Sequence, residues 1–200
     1  KISGRNWTTS DAFTMTLTAQ GEAPMPKGAK DGVSTITLKK DVQVGNFGTI
    51  EYAKPGTYTY MIAEQAGDET ALTFSKATYR ATVTVTDDGA GKLTAKTKIA
   101  QLTDDAGNTA ERTVEAAVFT NTAKTGSLTV KKTDQSGKVI AGATFTVRDG
   151  SGQYAALDAD GKVTWSATET ELTTGENGQI VLTAIPNGAY TVTETGVPEG

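Results

Sequence analysis

The sequence contains no cysteine and no histidine. The first absence excludes disulfides and thiol nucleophiles. The second excludes His-dependent catalytic triads, and together they remove the usual zinc ligands. Proline is scarce, at 5 of 200 residues, and no apolar run approaches the length of a membrane span. Basic charge is not in excess: 19 Lys and Arg stand against 23 Asp and Glu, a formal net charge of -4, which argues against nucleic acid as a partner. No stretch carries a helical stripe of apolar residues. No signal peptide opens the chain, and its start at Lys1 reads as that of a trimmed piece.

What is present is alternation. "AFTMTLT" puts Phe13, Met15 and Leu17 on one face, because strand side chains alternate sides. "STITLKK" follows with Ile36 and Leu38, and "GTIEY" with Ile50 and Tyr52. "TYRATVTVTDD" aligns Tyr79, Ala81, Val83 and Val85, and "KLTAKTKIA" sets Leu93 and Ile99 against Lys92, Lys96 and Lys98. Turn chemistry separates the runs: "DDGAG" at 87–91, "DDAGN" at 104–108 and "PNG" at 186–188. The small polar stretch "TNTAKTGS" at 120–127 marks a boundary. The prediction is an all-β chain of two tandem antiparallel sandwiches, residues 1–123 and 124–200. The second is short of strands, carries a polar excursion at 150–178 expected to be a solvent-facing hairpin or loop without a structural metal, and reads as lacking its last strand.

Polar residues recur on apolar faces. Glu64 shares a face with Tyr58, Tyr60 and Ile62, and Glu194 shares one with Tyr190 and Val192. Lys132 continues the face of Leu128 and Val130, and Asn121 that of Ala117 and Phe119. Two readings stand. A lysine ending a strand serves as an edge gatekeeper, and a glutamate after a strand is solvated. Alternatively an amine, a carboxamide and a carboxylic acid meet in an apolar core and form an amide with release of ammonia. Burial lowers the amine pKa and raises that of the carboxyl, so a neutral nucleophile faces an acid that polarises the carboxamide oxygen and shuttles protons.

The segments "KISGRNWTTSDAFTMTL", "GTIEYAKPGTYTYMIAE", "YRATVTVTDDGAGKLTA" and "VFTNT" resemble, in order, those of the streptococcal-type pilin isopeptide-linkage domain. "SLTVKKTDQSGKVIAGATFTV" and "ENGQIVLTAIPNGAYTVTETGVPEG" resemble the SpaA-like, collagen-adhesin B-type prealbumin domain of Gram-positive pilins and adhesins, the latter segment ending in an E-box-like pattern. Val192 and Val197 stand where the E-box has Leu and Ala. The resemblance implies two Ig-like or prealbumin-like sandwiches. It implies a Lys1–Asn121 bond catalysed by Glu64, with the Lys1 α-amine as a competing group. In the second block it implies Lys132 as reactive lysine and Glu194 as catalyst, the acceptor of Lys132 lying outside this chain. Either Lys132 approaches Glu194 directly, or an acceptor strand arrives from elsewhere.

The function so implied is a structural stalk segment of an extracellular, cell-wall-anchored pilin or adhesin, whose partners are adjacent domains or subunits of the same surface protein or pilus. No Tyr-Pro-Lys pilin context or sorting signal occurs in the sequence, which leaves pilus subunit and adhesin stalk both open. A second reading is a ligand-binding adhesin domain for a host matrix protein or glycan, resting on Tyr154 and Trp165 of the excursion, placed on polar loops. Metal binding at Asp158 and Asp160 is disfavoured: "DADGK" lacks the full calcium-loop pattern and reads as a plain turn, as does "DDAGN". No cofactor is expected. With no triad, phosphate loop or metal cluster, a turnover enzyme is the least supported reading.

Overall fold

The computed structural model describes residues 1–67 and 70–198. They form two compact units, residues 1–3 with 9–122 and residues 4–8 with the chain from 123 onward. Both are all-β, as alternation predicts, and no helix among the described residues is long and apolar enough to cross a membrane.

The first unit holds β1 (Ile2–Ser3), β2 (Ala12–Gln20), β3 (Val33–Lys39), β4 (Gly56–Glu64), β5 (Leu72–Thr73), β6 (Thr78–Asp87), β7 (Leu93–Thr103), β8 (Thr109–Val114) and the start of β9 (Asn121–Ala123). Six of these make an antiparallel sheet in the order β3-β2-β4-β6-β7-β8, and β1-β9-β5 make a second sheet. Phe13, Met15, Leu17, Tyr60, Ile62, Tyr79, Ala81, Val83 and Val85 are buried on one face of the large sheet, and Leu72 and Phe119 are buried with them. The threonines between them take the other side. β1 and β9 depart from the antiparallel pattern and run parallel, with Ile2 opposite Asn121.

The "GTIEY" stretch is corrected. Ile50 and Tyr52 lie outside any strand. β4, the strand that follows, already pairs with β2 on one edge and β6 on the other. Tyr52 instead packs its ring on Tyr58, with centroids 4.9 Å apart, and its hydroxyl meets that of Tyr60 at 3.1 Å.

The second unit holds β10 (Thr125–Lys131), β11 (Thr144–Asp149), β12 (Tyr154–Leu157), β13 (Val163–Ser166), β14 (Leu172–Thr173), β15 (Gln179–Pro186) and β16 (Tyr190–Gly196). β10 and β15 form a two-stranded sheet; β13-β12-β11-β14 form another, with β16 on β11. Phe145, Val147, Leu172, Ile180, Leu182 and Ile185 make the core. The excursion at 150–178 is more than a polar detour. It contributes a β12–β13 hairpin that buries Ala155, and β14 buries Leu172. Tyr154 and Trp165 are therefore strand residues, not loop residues, and Trp165 packs against the core and stacks on Tyr190. Along β16 the expected inward face is only partly covered: Tyr190 is half-buried, while Val192 and Glu194 are exposed.

One hairpin turn is used five times. Asp88, Asp104, Asp134, Asp149 and Asp158 each accept, through Oδ1, the main-chain N–H groups two and four residues ahead. A glycine three residues on takes a positive φ, as at Gly107 (φ 92), where other residues are strained. The carboxylate does the turn-forming itself, which accounts for "DDAGN" and "DADGK".

Candidate cross-linking site

β4 ends on Glu64 after three inward residues, so alternation delivers its carboxyl to the core side, where it is half-buried. Asn121 opens β9 with 1% of its surface exposed. The two side chains meet: Asn121 Nδ2 donates to Glu64 Oε1 at 2.7 Å. The Asn121 amide oxygen faces the other way and accepts from the main-chain N–H of Ser75 at 2.7 Å. The carboxamide is thus held at both ends. The expected contact from the acid to the amide oxygen is corrected: the donor at that oxygen is a backbone N–H, and the acid sits against the nitrogen.

The second oxygen of Glu64, Oε2, is buried and has no hydrogen-bond partner among the described residues. Burial pushes the Glu64 carboxyl pKa up. The hydrogen bond from Asn121 and the positive charge of the Lys1 main-chain amine oppose that rise, while the nearby Asp105 adds to it.

Of the three residues expected here, the structure gathers Glu64 and Asn121. Lys1 stands apart. Ile2, not Lys1, occupies the register position beside Asn121, and Lys1, one residue before β1, is exposed. It approaches through its main chain: the α-amine donates to Phe119 O at 2.6 Å, and the Lys1 carbonyl accepts from Asn121 N at 2.9 Å. Desolvation lowers the pKa of that α-amine.

Sequence reasoning missed Ser75 and Asp105. Ser75 acts through its main chain, which no residue pattern announces. Its hydroxyl donates to Asp105 Oδ1 at 2.6 Å and accepts from Ala77 N at 3.1 Å. Asp105 also accepts from Thr120 N at 2.9 Å.

In the second unit the direct approach of Lys132 to Glu194 is present. Lys132 Nζ lies 2.9 Å from Glu194 Oε1 and 3.2 Å from Oε2. The pair is not in an apolar core as expected, for the side chains retain 25% and 37% of their exposure. Lys132 is set by its own N–H bond to Gly178 O and by the close approach of Gly178, whose φ of +68 and lack of Cβ leave room for Lys132 O and Val139. Among the described residues no Asn or Asp side chain bonds to either member. Asn177 is engaged by Gln179 N in a turn.

Residues 1–124 match the family model of the Spy0128-like isopeptide containing domain, and residues 126–200 that of the SpaA prealbumin-like fold domain. No curated protein sequence matches the chain. Among solved structures, the major pilin protein T3.2 of Streptococcus pyogenes serotype GAS13637 is similar with a TM-score of 0.54 at 20% identity, over 96% of this chain and 77% of that one. The T-13 major pilin of S. pyogenes serotype GAS131465 gives 0.50 at 18%, over 98% and 79%. Another S. pyogenes major pilin gives 0.51 at 17%, over 98% and 79%. At these identities the likeness is one of fold. By its family match over residues 1–124, the chain belongs to the Spy0128-like isopeptide containing domain family and continues into a prealbumin-like fold domain.

Proposed function

We propose that the chain is a structural shaft segment of a Gram-positive surface pilus or adhesin, its first unit locked by an autocatalytic amide between the Lys1 ε-amine and Asn121. The observation that carries this reading is the buried Asn121 carboxamide, held by Glu64 at its nitrogen and by Ser75 N–H at its oxygen, on the strand paired in parallel with the first. In this reading the Lys1 side chain turns inward and its neutral amine attacks Asn121 Cγ. Charge building on Oδ1 is stabilised by Ser75 N–H, as in an oxyanion hole. A proton leaves the attacking nitrogen and another reaches Nδ2, both by way of the Glu64 carboxyl. The Cγ–Nδ2 bond breaks, one ammonia departs, and Glu64 returns to its starting protonation. Each molecule reacts once, so this is maturation and not turnover.

A tie between the first and last strands of a unit suits a part that bears tension and resists proteolysis. Closing a loop on the order of 100 residues adds roughly 4–5 kcal/mol by the loop-entropy model. Lys132 and Glu194 are the proposed amine and proton-transfer pair of an equivalent bond in the second unit, its acceptor an Asn or Asp on an added strand. The proposed partners are neighbouring domains or subunits of the same cell-wall-anchored surface protein or pilus. Tyr154 and Trp165 lie on strands, with Trp165 packed against the core, which favours this structural role over a ligand-binding one.

Intact mass tests the reading. A chain lighter than its sequence by one ammonia, with tandem mass spectrometry joining Lys1 to Asn121, is the expected result. A free Lys1 ε-amine together with an intact Asn121 carboxamide in the folded protein would end it.

A further inference from the structure

The turn "DDAGN" carries two aspartates with different duties. Asp104 builds the turn, accepting from Ala106 N and Asn108 N through Oδ1, while Asn108 Nδ2 bonds its Oδ2. That frees Asp105, the next residue, to point elsewhere. Its Oδ1 receives two donors at once: Ser75 Oγ at 2.6 Å and Thr120 N at 2.9 Å. Ser75 is the residue whose N–H holds the Asn121 oxygen, and Thr120 precedes Asn121 in the chain. The Asp105 carbonyl completes the grip, accepting from Lys76 N at 3.0 Å.

We infer that Asp105 is the positioning residue of the amide-forming centre, tying Ser75 and Thr120 together so that the Asn121 carboxamide stays clamped between Ser75 N–H and Glu64. This rests on the cross-linking reading above. Asp105 touches no reacting atom. It acts by geometry, and by placing a negative charge near Glu64 that favours the protonated acid. The groups acting on Glu64 are the Lys1 main-chain amine, which favours its ionised form, the Asn121 carboxamide, which does the same, and Asp105, which opposes both.

The test follows cross-link formation by intact mass, as loss of ammonia over time, in the full chain. Asp105→Ala should slow bond formation by about 10²-fold, the cost of a slightly misplaced reacting group, while near-ultraviolet circular dichroism shows a folded unit. Asp105→Asn keeps an oxygen that accepts both bonds and should restore most of the rate. It should also shift the alkaline limb of the pH–rate profile to lower pH, because Glu64 then ionises sooner. Should Asp105→Ala not fold, Ser75→Ala severs the same tie while keeping the Ser75 N–H, and it should slow the reaction too.

Cross-linking of Asp105→Ala at the wild-type rate, or of folded Ser75→Ala at that rate, would overturn the inference alone. An Asp105→Asn variant as slow as Asp105→Ala, with an unshifted profile, would do the same. Wild type that never loses ammonia would overturn the cross-linking reading and this inference with it.

Discussion

Glu64 Oε1 lies 2.7 Å from Asn121 Nδ2, the atom that departs in the proposed reaction, and not against the carbonyl oxygen. In the proposed reaction the acid protonates the leaving nitrogen, and the polarising of the carbonyl falls to Ser75 N–H at the opposite end. Glu64→Ala should leave the chain folded but uncoupled, with its mass unchanged from the sequence. Unfolding in denaturant should then show a loss of roughly 4–5 kcal/mol relative to the linked protein. A Glu64→Ala protein that is fully cross-linked would refute the role given to this residue.

Acidity offers an independent check. Burial raises the Glu64 pKa in the folded, unlinked state, so the native protein binds more protons than the unfolded one between the ordinary glutamate value and the raised one. Stability from this group is full below the unfolded value and is lost as pH rises through the folded one. In an unlinked Lys1→Ala background, adding Glu64→Gln should therefore make little difference at low pH and stabilise at high pH. Urea midpoints across pH measure this; a gap that widens toward acid would contradict the sign.

The Lys132–Glu194 contact is a half-exposed ion pair, and such pairs contribute about 0–1 kcal/mol. Lys132→Ala in this chain should cost no more than that, and the cost should shrink as salt is added. Double-mutant cycles with Glu194→Ala at low and high salt would measure it. A coupling of several kcal/mol that salt leaves untouched would mean the pair is far better shielded than its exposure indicates.

The repeated turn has a titration signature. Hydrogen bonds hold the Asp104 and Asp134 carboxyls below the usual aspartate range: chiefly the Asn108 main-chain bond for the first and the Ser136 hydroxyl for the second. A depressed pKa means stabilisation that is present above the unfolded value and lost as pH falls through the folded one. Carboxyl carbon chemical shifts should titrate at lower pH for both residues in the folded protein than in denaturant. Ordinary midpoints for either would show that its turn does not persist in solution.

Much of this was legible because strands keep a strict period. Glu64 and Asn121 were found by asking which polar groups share a side with Tyr60, Ile62 and Phe119, and the sheet places them there. The register puts Ile2, and not Lys1, beside Asn121. That follows only once β1 is known to pair with β9, a partnership between distant segments that local pattern does not encode. Ser75 escaped notice because its contribution is a backbone N–H, common to every residue but proline.

The excursion at 150–178 forms the expected hairpin but is not wholly solvent-facing. Its polar residues are real, but Ala155 and Leu172 suffice to bury one side of a hairpin and a short strand. Ile50 and Tyr52 did mislead. They alternate like a strand, yet both edges of β4, the strand that follows them, are taken by β2 and β6.

The parallel seam between β1 and β9 joins distant parts of the chain. Lys1 and Phe119, joined main chain to main chain, are 118 residues apart, and contacts so distant are costly to close early in folding. Until the proposed bond forms, the chain is an ordinary linear polymer that can be threaded through a narrow pore. With the proposed bond in place, residues 1–121 are closed into a ring. A machine that unfolds proteins by drawing one extended strand through a channel would reach the ring and meet two strands instead of one.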